Sequence, residues 1–104
     1  MVFVETPMFV KQALEELPDD ELRQIQALLF AGPTAVDPIH GTGGVRKLRW
    51  KGSGRGKRGG VRIIYYWHAP KSRIYLLLMY PKNVQDDLTR DQIATLRKLV
   101  KEIV

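Results

Sequence analysis

Two apolar runs set close together constrain this chain more than any other feature. Residues 61–67 read Val-Arg-Ile-Ile-Tyr-Tyr-Trp and residues 73–80 read Arg-Ile-Tyr-Leu-Leu-Leu-Met-Tyr, with the turn Ala69-Pro70-Lys71-Ser72 between them. β-branched and aromatic residues favour strands, and so short a connection makes the two strands an antiparallel hairpin. The second run is apolar on both faces at Ile74, Leu76, Leu77, Leu78 and Met79, which predicts a central strand, ended by Pro81. A hairpin centred near residue 70 places Arg62 opposite Leu78 and Gly60 opposite Tyr80. Residues two apart share a face, so Arg62 and Tyr80 then point the same way at the same end of the sheet. An odd register would separate them.

The remaining elements follow from local signals. Val2, Phe3 and Val4 form a short first strand. Thr6-Pro7 starts a helix, with Thr as N-cap and Pro at the first helical position. Phe9, Val10, Ala13, Leu14 and Leu17 fall on its apolar face, and Pro18 ends it. Asp19, Asp20 and Glu21 suit the positive N-terminal end of a second helix, whose stripe is Leu22, Ile25, Leu28 and Leu29. Gly32-Pro33 stops that helix, with Gly32 expected as the C′ residue. Residues 7–31 therefore read as a helical hairpin whose acidic surface is structural and solubilising. Residues 45–50 form a strand with a basic face, and Thr89-Arg90-Asp91-Gln92 is a capping box. It opens a last helix with Ile93, Leu96, Leu99, Val100 and Ile103 facing the core. The order is β-α-α-β-β-β-α, an α+β fold with an antiparallel sheet, expected to form a single domain over residues 1–104.

The distribution of charge says more than its total of +6. Residues 1–40 carry net −5, residues 41–82 carry net +11 without a single acid, and residues 83–104 are neutral. A block of that kind focuses a positive field over one part of the fold. The apolar fraction of 44% argues against disorder. With no cysteine, a disulfide framework, a thiol nucleophile and a cysteine-ligated metal are excluded. His40 sits in a loop and reads as a solvated histidine; no second histidine or carboxylate stands at metal-ligand spacing, so neither a metal nor another cofactor is expected. Neither a secretory leader pattern nor an apolar run long enough to span a bilayer is found, which fits a cytoplasmic protein with no membrane partner.

Five glycines in the nine residues 52–60 are interleaved with Arg55, Lys57 and Arg58, and Arg62 follows. Such a backbone can approach a ligand closely, and nucleic acid is the obvious anion; the bland alternative is a solvated hairpin tip. With the loop arriving and Lys82 leaving at the Arg62–Tyr80 end, Lys57, Arg58, Arg62, Tyr80 and Lys82 converge. RNA carries its own nucleophile, the 2′-OH beside each phosphodiester. An enzyme has to align that hydroxyl, take its proton and neutralise the phosphorane. Arg62 can clamp the phosphate bidentately. A lysine among arginines has its pKa lowered and can serve as a base. Tyr80 can stack on a base, orient the phosphate or share in proton transfer, or it can be a strand-end aromatic with a wet hydroxyl. Tyr65, Tyr66 and Trp67 read as core and sheet surface.

The stretch Gly56-Lys57-Arg58-Gly59-Gly60-Val61-Arg62-Ile63-Ile64-Tyr65-Tyr66 resembles the G-K-x-G-G-x-R-V-I-Y-Y signature of the RelE/HigB-like toxins. Tyr80-Pro81-Lys82-Asn83 with Asp87-Leu88-Thr89 is similar to that family's Y-x-K-x-E-x-x-D-L-T, and Gly43-Gly44-Val45-Arg46-Lys47-Leu48-Arg49-Trp50 resembles its G-x-R-K-L-R strand. The resemblance implies a RelE-like fold and the toxin of a bacterial type II toxin–antitoxin system. It implies a metal-independent endoribonuclease that cuts mRNA on the 70S ribosome and is silenced by a cognate antitoxin. Catalytic roles are implied for Lys57, Arg62, Tyr80 and Lys82. Contacts to RNA or ribosome are expected from Arg46, Lys47, Arg49, Lys51, Arg55, Arg58, Lys71 and Arg73. Val84 and Gln85 stand where the family often has Glu. Two alternatives stand beside it: a non-catalytic inhibitor on the same fold, like the ParE relatives that block gyrase, and a plain RNA-binding module.

Overall fold

The structure, a computed structural model, describes residues 1–52, 60–85 and 87–104. In chain order it holds strand β1 (Val2–Glu5), helices α1 (Pro7–Glu16) and α2 (Asp19–Ala31), and strands β2 (Arg46–Trp50), β3 (Val61–His68) and β4 (Arg73–Pro81). Helix α3 (Arg90–Ile103) follows. The β3–β4 turn, Ala69–Lys71, is a single 3₁₀ turn closed by Ser72 in the left-handed conformation. The sheet order is β1-β4-β3-β2. The expected antiparallel arrangement is β2–β3–β4, and β1 joins β4 in parallel. No tight turn links β1 to β4, and the long detour through the helices leaves parallel pairing open.

Each face of the sheet has its own core. Val61, Ile63 and Tyr65 of β3 and Ile74, Leu76 and Met79 of β4 pack with Phe9, Ala13, Ile25 and Leu29 of α1 and α2. Ile64, Leu77, Leu78 and Tyr80 pack on the other side with Leu96 and Val100 of α3. Helix starts follow the sequence closely. Thr6 Oγ1 accepts from Phe9 N, and Thr89 and Gln92 complete the capping box. Four residues depart from their expected placement. Gly32 caps α2 at φ −151°, outside the left-handed region. Val10 and Leu14 are 39% and 78% exposed, and Leu28 is also exposed. Each lies one residue from a buried position, about 100° round the helix, beyond the narrow ridge that meets the sheet.

The β3–β4 register carries a bulge that matters for the site. From the turn outwards His68, Trp67, Tyr66 and Tyr65 pair with Arg73, Ile74, Tyr75 and Leu76, but Ile64 then pairs with Leu78, leaving Leu77 as an extra residue. Beyond it Arg62 faces Tyr80 directly, not Leu78. Without the extra residue the turn-end register would set Arg62 opposite Met79 and turn Tyr80 to the other face. Helix α1 satisfies the interrupted ladder. Thr6 Oγ1 donates to Leu77 O at 2.8 Å, Thr6 N donates to Leu76 O at 3.1 Å, and Gln12 Oε1 accepts from Met79 N at 2.8 Å.

Candidate functional site

Beyond the bulge, cross-strand pairing builds a row. Arg49 of β2 pairs with Arg62 of β3, which pairs with Tyr80 of β4. Directly opposed Cβ atoms lie about 5 Å apart on one face, so two guanidinium side chains and a phenol stand side by side on the α3 face. Lys47 is two residues from Arg49 on the same face and pairs with Ile64. Arg62 and Tyr80 are each about 5% exposed, whereas Arg49 and Lys82 are exposed. The Tyr80 ring is thus packed against the sheet face and not laid out on the surface. Opposed like charges such as Arg49 and Arg62 cost stability; a row that keeps them is suited to receive an anion.

Lys82 is tied to the row through its backbone, its N–H donating to Gly60 O at 3.0 Å. Gly60 has φ +70°, and a Cβ there would run into the Trp50 carbonyl, so glycine is required where β3 begins. Lys51 is exposed just past the end of β2. Of the basic loop, Arg55, Lys57 and Arg58 lie outside the described residues.

The other expected contacts are scattered. Arg46 shares a face with Leu48 and Trp50, away from the row, and its guanidinium donates to the carbonyls of Val36 and Thr34. Lys71 and Arg73 lie at the turn end of the hairpin. Seven residues of strand separate Arg73 from Tyr80, about 23 Å. His40 is exposed. Among the described residues no cluster of three His, Cys, Asp or Glu side chains could hold a metal ion.

Two acids enter that the sequence reading had not assigned to the site. Asp87 Oδ1 pairs with Lys47 Nζ at 2.9 Å. The Lys47 hydrogen bond and charge, with smaller contributions from Arg49 and Arg62, hold the Asp87 carboxyl below its usual range. Gln85 positions the turn, its Nε2 donating to Asp87 O and to the capping-box Gln92 Oε1. Asp87 thus partly neutralises a field that the acid-free block cannot. Glu21 is 3% exposed and accepts from Trp50 Nε1 at 2.9 Å. Its spacing of four from Ile25 was the available signal, since both fall on one helical stripe.

A model of the family described as "RelE toxin of RelE / RelB toxin-antitoxin system" matches residues 1–104. The chain belongs to the RelE toxin family. It is therefore the toxin type of a toxin–antitoxin system, and family membership implies an antitoxin partner. Among solved structures it is similar to the E. coli toxin RelE, an arginine-to-alanine double mutant in the free state. The TM-score is 0.64 at 13% identity, covering 99% of this chain and 97% of that one. At that identity the likeness concerns the fold, the same α+β arrangement. No helix among the described residues is long and apolar enough to cross a membrane.

Proposed function

We propose that this RelE-family toxin is a ribosome-dependent mRNA endonuclease, acting in the cytoplasm and held inactive by an antitoxin that covers its basic face. The observation that carries the reading is the Arg49–Arg62–Tyr80 row, in which a buried arginine stands directly beside a buried tyrosine under an exposed cationic rim. Arg62 clamps the scissile phosphate and neutralises the phosphorane. Tyr80 orients that phosphate or the flanking base. Lys82 adds charge at the leaving side, and Lys57 is the candidate base for the 2′-OH. Arg49, Lys47 and Lys51 hold neighbouring phosphates, with Arg55 and Arg58 extending the contact. The attack needs no metal, because the nucleophile belongs to the RNA and the arginines supply the positive charge.

The test uses purified toxin, programmed ribosomes and a defined mRNA, read by primer extension beside a ribosome-free control. Cuts are expected only with ribosomes. Arg62→Ala should lower cleavage by about 10²–10³-fold, as loss of a transition-state donor does, while the protein stays folded. A folded Arg62→Ala variant that cuts normally would overturn the assignment. Cuts without ribosomes would keep the nuclease and remove the ribosome from its mechanism. No cuts at all would send the protein to a gyrase supercoiling assay and then to salt-dependent RNA binding.

A further inference from the structure

Among the described residues Glu21 is the only buried acid. It lies on the α1/α2 side of the sheet, away from the row, yet its contacts lead to the site. Its Oε1 accepts the Trp50 indole N–H at 2.9 Å, and a Cβ on Gly52 would come within 3.2 Å of the same oxygen. Trp50 closes β2 opposite Val61, and the Trp50 carbonyl lies against Gly60. Gly60 O in turn holds the Lys82 N–H at 3.0 Å. Contacts therefore run unbroken from Glu21 through Trp50 and Gly60 to Lys82, beside Arg62 and Tyr80.

We propose that Glu21 is a positioning residue for the cleavage site: by holding the Trp50 indole it fixes the strand ends that set Lys82 and Arg62. The proposal rests on the nuclease reading above. A carboxylate is costly to bury unless it is well bonded, and one bonded to an indole is a stiffer anchor than apolar packing alone. A Gln side chain keeps an acceptor for the indole; an Ala side chain does not.

Glu21→Ala and Glu21→Gln are compared with the wild-type chain in two measurements. One is mRNA cleavage on programmed ribosomes, giving the maximal rate and the half-saturating concentration. The other is amide hydrogen exchange followed by NMR. Glu21→Ala is expected to lower the maximal rate about tenfold with the half-saturating concentration within about twofold, since misplacement acts on the chemical step. Lys82 N–H should exchange at least about tenfold faster, with residues 66–74 at the far end of the hairpin unchanged. Glu21→Gln should stay within about threefold of wild type in both. A Glu21→Ala chain that matches wild type in rate and in Lys82 exchange overturns the proposal. So does exchange that rises equally through all strands, which marks general destabilisation. If the wild-type chain does not cut mRNA, the nuclease reading falls, and local against uniform exchange still decides whether Glu21 positions these strand ends.

Discussion

The two faces of β3 use the same backbone for opposite purposes. Toward α1 and α2 the strand presents Val61, Ile63 and Tyr65, all buried among apolar side chains. Toward α3 it presents Ile64 and then Arg62. The first face is optimised for packing; the second keeps like charges opposed at Arg49 and Arg62 and accepts the cost. Such a local conflict is expected where function, not stability, fixes the residue.

Neighbouring substitutions should therefore separate the faces. Ile63→Ala, fully buried, is expected to lose about 2–5 kcal/mol of stability by cavity formation; chemical denaturation measures it. Arg62→Ala, one residue away, should spare the fold and lose cleavage. Similar losses of stability from both would erase the distinction. Gly60→Ala tests where the faces meet. Its positive φ costs about 1–2 kcal/mol for an L side chain, and the clash with the Trp50 carbonyl adds to that. The melting temperature should fall and cleavage should drop with it.

Smaller effects sharpen the electrostatics. Asp87→Asn removes the acid paired with Lys47 and should tighten RNA binding roughly two- to fivefold, the range of an exposed pair. A remote control, Glu15→Gln on the exposed side of α1 across the sheet, makes the same charge change, and equal gains from both would assign the effect to net charge alone. The depressed Asp87 carboxyl contributes stability above its unfolded pKa and loses it as pH falls through the lower folded value. Asp87 is four-fifths exposed, so Asp87→Asn should barely move the melting temperature at neutral pH and should slightly flatten the acid limb. Least of all, Lys71→Ala at the far end of the hairpin should leave cleavage within about twofold, as a single exposed charge beyond the Debye length does.

Most of the fold was legible because its signals are local. Thr6-Pro7, the Thr89–Gln92 box and the two apolar runs fix where elements start and which pair, through capping and pattern alone. Convergence of Arg62 and Tyr80 at one end was legible too, since strand alternation is a period of two. Asp87 was not, because nothing local says that a residue after β4 returns to Lys47. Arg46 looked like its neighbours until alternation put it on the other face.

The sequence by itself determined the element order, the basic block and the candidate residues. Only the tertiary structure decided that Arg62 and Tyr80 are partners. The 3₁₀ turn sets an odd register, and the extra residue Leu77 restores the shared face. That bulge is held by Thr6 and Gln12, some seventy residues earlier in the chain. A one-residue change in pairing leaves every local propensity untouched and reverses every side chain beyond it, so its outcome rests with packing against α1 and not with the strand sequences.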